Sequence, residues 1–308
     1  MSKIAFIFPG QGAQICGMGQ DFYEQAETAK EIFDKASEIL GFSMPELCFE
    51  KNDRLDITEY TQPAMVTASI AMMKVFMERT GITPSVAAGL SLGEYPAMAA
   101  AGVMSAEDAI RTVRQRGILM QEAVPAGVGA MSAVLAMDGE KIEEVLAPID
   151  GVQIANYNCP GQIVISGKKE AVDEAAVKLK EAGAKRVLPL NVSGPFHSSL
   201  LEEAGEKLGE VLAQVEVHTP VIPYIANVTA GYVTDAGDVK PLLIKQVSSS
   251  VRWEQSIRRM LEDGVDTFIE IGPGRTLTGF MKKIDRNAKA MNIEKLEDIE
   301  KVKEALGC

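Results

Sequence analysis

Ser85-Val86-Ala87-Ala88-Gly89-Leu90-Ser91-Leu92-Gly93-Glu94-Tyr95-Pro96-Ala97-Met98-Ala99-Ala100-Ala101-Gly102 is the stretch whose reading decides the fold. Ser85 to Gly89 reads as a short strand, and Leu92 to Ala101 as a small-residue helix stopped by Gly102. Between them, Gly89-Leu90-Ser91-Leu92-Gly93 has the Gly-x-Ser-x-Gly form of a nucleophile elbow in the strand–turn–helix context that such an elbow needs. The chain reverses so tightly at the serine that a Cβ two residues before or after it would clash. The strained turn lifts the hydroxyl clear of the sheet, and the N–H groups that open the helix favour a developing oxyanion. The plain alternative is a glycine-flanked serine in an ordinary βα turn.

Working outward, Ile4-Ala5-Phe6-Ile7-Phe8 is a continuous apolar run ended by Pro9-Gly10, the mark of a buried strand. Helical patterns cover Asp21 to Leu40, a segment from near Pro63 to before Gly81, and Ser105 to about Ala123, with Ser105 as N-cap and Asp108 three residues on. Strands alternating with helices predict a parallel sheet covered on both faces. The pattern then changes. Gly129 to Met137, Val152 to Tyr157, Ile163 to Gly167 and Arg186 to Leu190 read as strands, with helices at Glu140 to Leu146 and Glu170 to Ala182. This β-α-β-β-α-β order is that of a ferredoxin-like unit. Beyond it come a helix to about Val215, strands near Ile222 to Asn227 and Thr267 to Ile271, a helix from Thr276, and a charged surface helix over Asn292 to Leu306. The expected fold class is α/β: a large α/β-hydrolase-like domain with a parallel sheet, residues 1–126 and 194–308, carrying an inserted ferredoxin-like (βαββαβ) subdomain at 127–193.

The 308 residues suit one large domain with a smaller insert. A net charge of −12 argues against nucleic-acid or anionic-membrane binding, which require a dominant basic face. Met1-Ser2-Lys3 leads directly into the first strand, whose apolar run is too short for a signal-peptide core, and no run approaches the ~20 apolar residues that span a bilayer. The expectation is a soluble, cytoplasmic protein. Cys16, Cys48, Cys159 and Cys308 form no C-x-x-C pair and have too few histidines nearby for a zinc site, so they read as reduced thiols. No apolar surface stripe calls for a partner copy, and a monomer is expected.

A serine nucleophile needs a base, and the chain has only two histidines. His197 lies in Ser193-Gly194-Pro195-Phe196-His197-Ser198, where turn residues meet a new helix just past the insert. His218 lies in the exposed-looking Glu216-Val217-His218-Thr219-Pro220. A loop between domains is the better place for a base, which favours His197. Glu170, Asp173 and Glu174 fall between serine and histidine in hydrolase order, but spacing marks out none of them. A Ser–His dyad steered by a backbone or amide oxygen fits equally well. Pro9-Gly10-Gln11-Gly12 could cradle a phosphate, yet Ile15 stands where G-x-G-x-x-G needs its third glycine and there is no Walker lysine.

These residues, taken together, resemble the malonyl-CoA:acyl carrier protein transacylases of fatty-acid synthesis and the acyltransferase domains of polyketide synthases. The carriers are Phe8-Pro9-Gly10-Gln11-Gly12, Thr61-Gln62-Pro63-Ala64, Gly89 to Tyr95, Arg114-Gln115-Arg116-Gly117 with Met120-Gln121, Asn156-Tyr157-Asn158 with Pro160-Gly161-Gln162, Gly194 to Ser198, and Ile271-Gly272-Pro273-Gly274. They run in order along nearly the whole chain. The resemblance implies Ser91 as nucleophile and His197 as base, with Gln11 and the Leu92 N–H forming an oxyanion hole. It implies Arg116 as the anchor of the malonyl carboxylate, a choice that the helix alone, which also carries Arg111 and Arg114, does not make. A guanidinium suits this role by pairing bidentately with a carboxylate. It further implies Gln246 as the residue whose main-chain oxygen orients the histidine, and Gln62 and Asn158 as positions near the site. Phe196 fits the malonyl-selective pattern, since a ring there crowds an α-methyl branch. One departure is Leu90, where many members have histidine.

The reaction so implied is a ping-pong transfer from malonyl-CoA to the phosphopantetheine thiol of acyl carrier protein, with no metal or redox cofactor. An acidic carrier requires a local basic patch, for which Lys282, Lys283, Arg286 and Lys289, and also Lys185 and Arg186, are candidates; each could instead be a solvated charge. The alternatives are an acyltransferase serving a polyketide synthase or malonate decarboxylase, a serine (thio)esterase, and a non-enzymatic binding module.

Overall fold

The structure, a computed structural model, describes residues 3–125, 127–192 and 194–307; Ser193 and Cys308 lie outside them. The first strand, β1 (Ile4–Phe8), is the apolar run expected. Three helices follow: α1 (Gln20–Gln25), α2 (Glu27–Leu40) and α3 (Met44–Phe49). The single helix expected over Asp21 to Leu40 is therefore two. Ala26 is extended between them, and the bend lets both Phe22 and Phe33 enter the core.

Helix α4 (Thr58–Thr80) is buried almost all round. It begins five residues before the proline expected to open it, so Pro63 is an interior residue. Proline has no N–H, which leaves the carbonyl four residues back without its helical donor. Arg114 supplies one: its Nη1 donates to the Glu59 carbonyl at 2.6 Å, and Nη2 pairs with the Glu59 carboxylate at 2.6 Å. Strand β2 (Val86–Gly89) then leads through a 3₁₀ turn at Ser91–Gly93 into α5 (Glu94–Ala100). Helix α6 (Ala106–Glu122) is capped by Ser105, whose hydroxyl accepts from the Asp108 N–H at 3.0 Å.

The middle of the chain supplies β3 (Gly129–Leu135), α7 (Gly139–Leu146), β4 (Val152–Cys159), β5 (Gln162–Lys168), α8 (Lys169–Glu181) and β6 (Arg186–Pro189). The rest supplies α9 (Glu202–Ala213), β7 (Tyr224–Ala226), β8 (Gly231–Val233), α10 (Ala236–Gln246), α11 (Trp253–Glu262), β9 (Thr267–Ile271), α12 (Thr276–Ile284), β10 (Lys289–Ile293) and α13 (Asp298–Leu306). The tail expected to be one helix from Asn292 thus starts as a strand. Lys289 to Ile293 is short and mixed in polarity, which suits the sheet edge it occupies.

The molecule is a mixed α/β protein with two separate sheets. The larger has the order β10-β9-β1-β2-β7-β8, parallel throughout except for the β7–β8 pair. Its central strands are buried on both faces, as their unbroken apolar runs require. The smaller sheet, β4-β5-β3-β6, is wholly antiparallel and has its own apolar cluster against α7 and α8. The small sheet is tied at β4 to the segment between α10 and α11. Val251 donates to the Ala155 carbonyl at 2.8 Å and its own carbonyl accepts from the Tyr157 N–H at 2.9 Å. Among the described residues no helix is long and apolar enough to cross a membrane.

Candidate active site

The elbow is built by exclusion of side chains. A Cβ on Gly89 would lie 1.8 Å from the Gly93 carbonyl oxygen, and one on Gly93 would lie 2.1 Å from that of Phe8. Nothing but glycine fits either place. Ser91 itself has φ 51°, in the left-handed region. Asn227, at the end of β7, holds the turn from the other side. Its Oδ1 accepts from the Ser91 N–H at 2.5 Å and its Nδ2 donates to the Gly89 carbonyl at 2.7 Å.

The turn aims Ser91 at His197. Ser91 Oγ lies 2.7 Å from His197 Nε2, and His197 Nδ1 lies 2.8 Å from the main-chain oxygen of Gln246, at the C-terminal end of α10. A carbonyl accepts only, so Nδ1 carries the proton and Nε2 is left to accept one from the serine. The histidine is buried. That burial, and then the charge of Arg116, push its pKa down to about 4, against backbone hydrogen bonds that pull the other way. The ring is therefore neutral near pH 7. Among the described residues no carboxylate completes a triad: Asp173 and Glu174 are paired with Lys169 and Lys178 on the exposed face of α8, and Glu170 is exposed on the same helix. His218 is exposed, 4.0 Å from Glu216.

A cleft of about 900 Å³ opens over the pair, lined by Gln11 from the turn after β1, by Leu90 and Ser91 from the elbow, by Arg116 from α6, by Met131, Ala133, Asn156, Asn158 and Val164 from the small sheet, and by Phe196 and His197. Arg116 is the cation at its floor. It is 1% exposed, with Nη2 3.3 Å from Ser91 Oγ and 3.0 Å from Gln246 Oε1, while Nε has no partner among the described residues. Burial pulls its pKa down, and Tyr95 and Glu94 push it up. The other arginines of α6 face elsewhere: Arg111 pairs with Asp108, and Arg114 lies over Tyr60 at 4.4 Å.

The remaining sequence candidates take different positions. The Gln11 amide donates to Thr58 Oγ1 at 3.0 Å, and the residue lines the cleft. Leu92 is in the 3₁₀ turn, where the first N–H groups have no i−4 acceptor. Asn158 lines the cleft with its Oδ1 unpartnered among the described residues. Gln62 is not on the cleft wall; it lies behind Met120, with Nε2 3.6 Å from the sulfur. Lys282, Lys283, Arg286, Lys289, Lys185 and Arg186 are all exposed. Of these, Lys283 reaches Gln162 at the cleft, 3.3 Å away. Sequence reasoning passed over Asn227, Gln153 and Glu94. Gln153 Nε2 donates to the His197 carbonyl at 3.0 Å. Glu94 is buried beneath Gln246. Only Glu94 left a sequence signal, as a charge in an otherwise apolar elbow helix.

A serine hydroxyl against a neutral, buried imidazole, with a fixed cation beside it, is suited to acyl transfer of an anionic acyl group. Residues 5–301 match the model of the acyl transferase domain family. The chain belongs to that family. It is 50% identical over 305 residues to the malonyl CoA-acyl carrier protein transacylase of Bacillus subtilis strain 168, covering 97% of this chain and 96% of that one. Among solved structures, this acyl transferase superposes on the malonyl CoA-acyl carrier protein transacylase of Clostridium perfringens with a TM-score of 0.96 at 42% identity, covering 99% and 98% of the two chains. It also matches a malonyl-transacylase solved in complex with a type II PKS acyl-carrier protein, with a TM-score of 0.95 at 40% identity over 99% and 100% of the two chains.

Proposed function

We propose that this chain transfers the malonyl group of malonyl-CoA to the phosphopantetheine thiol of acyl carrier protein, through an ester on Ser91. The observation that carries the reading is the guanidinium of Arg116, buried and 3.3 Å from the serine hydroxyl. A cation so placed matches an acyl group that ends in a carboxylate and suits an apolar acyl chain badly. The names of the relatives support the same substrates.

His197 Nε2 takes the proton of Ser91 as its oxygen bonds to the thioester carbon. The Gln11 amide and the Leu92 N–H hold the oxyanion. The carbon–sulfur bond then breaks, and the imidazolium returns the proton to the departing coenzyme A thiolate. The carrier's thiol repeats the sequence in reverse, losing its proton to His197 and releasing Ser91. Gln246 holds the ring by its carbonyl, Arg116 anchors the carboxylate, Asn158 and Gln62 shape the site, and Phe196 limits branching at the α-carbon.

Residues 127–193 form a ferredoxin-like subdomain inserted into a hydrolase-like domain, 1–126 and 194–308. The alternating strand order of the small sheet supports this division. The protein acts as a monomer in the cytoplasm. A fatty-acid carrier is the expected acceptor; the complex with a type II PKS carrier gives a specific reason to test a polyketide carrier beside it. Intact mass after mixing with malonyl-CoA tests the core of the reading. A malonyl adduct is expected on the parent, none on Ser91→Ala, and none on the parent with acetyl-CoA. An Arg116→Ala variant that still prefers malonyl-CoA overturns the carboxylate assignment, and hydrolysis that outpaces transfer to a carrier favours a thioesterase.

A further inference from the structure

Glu94 has no part in the steps above, yet it is a buried carboxylate joined to the site through Gln246. Its Oε2 accepts from Gln246 Nε2 at 2.7 Å and from the Asn227 N–H at 3.1 Å, and its Oε1 has no partner among the described residues. The other ionisable groups facing it are Arg116 from α6, Tyr95 beside it on α5, and Tyr224 from β7. Gln246 links Glu94 to Arg116. A carboxylate only accepts, so it draws the amide's Nε2 toward itself and turns Oε1 to the Arg116 Nη2. A reversed amide would set N–H against the guanidinium. When ionised, Glu94 is thus the counter-charge of Arg116, one amide away.

We propose that Glu94 is a positioning residue that balances the charge of Arg116 in the empty enzyme, and that seating a carboxylated acyl group on Arg116 is coupled to uptake of a solvent proton by Glu94. The inference rests on the reading of Arg116 as the carboxylate anchor. When the acyl carboxylate arrives, two buried anions share one cation, and the weaker claim is that of the residue held through an amide. The proton goes to the Glu94 carboxyl, whose Oε1 accepts no hydrogen bond, while Oε2 keeps its two donors. Little additional field is needed. Burial already pushes the Glu94 pKa up to about 7, against the pull of Gln246, Asn227 and Arg116.

The test is titration calorimetry on the Ser91→Ala protein, which binds thioesters without consuming them, at pH 7.5 in two buffers of different ionisation enthalpy. Malonyl-CoA is expected to bring in roughly half a proton more than acetyl-CoA, and the malonyl-to-acetyl affinity ratio to fall about tenfold from pH 6 to pH 9, the change that a one-unit rise in pKa on binding entails. Acetyl-CoA cancels the titration of the coenzyme's own phosphates. Equal proton uptake with both thioesters overturns the proposal, and this arm requires no change at Glu94. With Glu94→Gln added, which keeps an acceptor for Gln246 and Asn227, the differential uptake is expected to vanish and malonyl-CoA to bind tighter at pH 8. A differential uptake that survives Glu94→Gln assigns the proton elsewhere and also overturns it. An Arg116→Ala protein with an unchanged malonyl-to-acetyl ratio instead overturns the anchor reading. A normal preference without differential uptake overturns only the role of Glu94.

Discussion

Ser91 and His197 both hold left-handed backbone, with φ of 51° and 57°, a conformation that costs a residue with a side chain about 1–2 kcal/mol. Each is pinned by a side-chain amide from another element: Asn227 on the serine N–H, Gln153 on the histidine carbonyl. Asn227→Ala would leave the Ser91 N–H and the Gly89 carbonyl without these partners. We expect a loss of about 1–3 kcal/mol for each orphaned group in denaturant unfolding, together with slower acylation by malonyl-CoA. The neutral state of His197 gives a second expectation. Its pKa lies near 4 where an unperturbed ring has 6.5, so acylation should persist well below pH 6 and its acid limb should fall near pH 4 in rapid-quench measurements. A limb at 6.5 would show that the ring is solvated in the working enzyme. The same shift bears on stability. The unfolded chain takes up this proton at 6.5 and the folded one only near 4, so the neutral ring's contribution is present above 6.5 and is lost as pH falls through that window. His197→Asn should therefore lose less stability than the parent between those two values.

At the scale of elements, the elbow and α4 are held by backbone geometry that the side chains must respect. Gly89→Ala forces a Cβ into the Gly93 carbonyl, and we expect no soluble folded protein from it. Arg114→Met removes the donor that replaces the missing N–H of Pro63. It should cost about 1–3 kcal/mol of unfolding free energy and leave the KM for malonyl-CoA unchanged, because Arg114 faces away from the cleft. The elbow was readable because Gly-x-Ser-x-Gly encodes a steric requirement in consecutive residues. The start of α4 was not, since the carbonyl that the interior proline leaves without a donor is met by an arginine 51 positions beyond that proline. The edge strand β10 escaped for a related reason: its pairing with β9, and not its mixed composition, makes it a strand. In the site, Ser91 and His197 were legible because the chemistry demands both and the chain has few histidines. Arg116 was one of three arginines on its helix until the fold buried it. Asn227 and Gln153 left no local pattern, because they act through single contacts at long sequence separation.

Across the whole molecule, the charge of −12 makes any docking of an acidic carrier depend on a local exception. Lys283 meets Gln162 at the cleft, and α12, which carries Lys282 and Lys283, also lines the cleft with Thr276 and Phe280. Replacing Lys282, Lys283, Arg286 and Lys289 by glutamate should raise the KM for the carrier several-fold at low salt, with little change in the KM for malonyl-CoA. Equal effects on both substrates would remove this cluster from the docking surface. The stitching of β4 to the segment around Val251 has a wider consequence. Gln153, on β4, also donates to the Ser248 carbonyl at 3.2 Å, and Ser250 donates to Ile154 at 2.5 Å. The small sheet therefore supplies a wall of the cleft and grips both His197 and the loop that follows Gln246. Transplanting residues 127–193 from a relative of different acyl preference would exchange more than a pocket lining. The graft would bring its own alignment of the base, so a chimera has to preserve Gln153 and its register against Val251 before its selectivity can be compared with that of its parents.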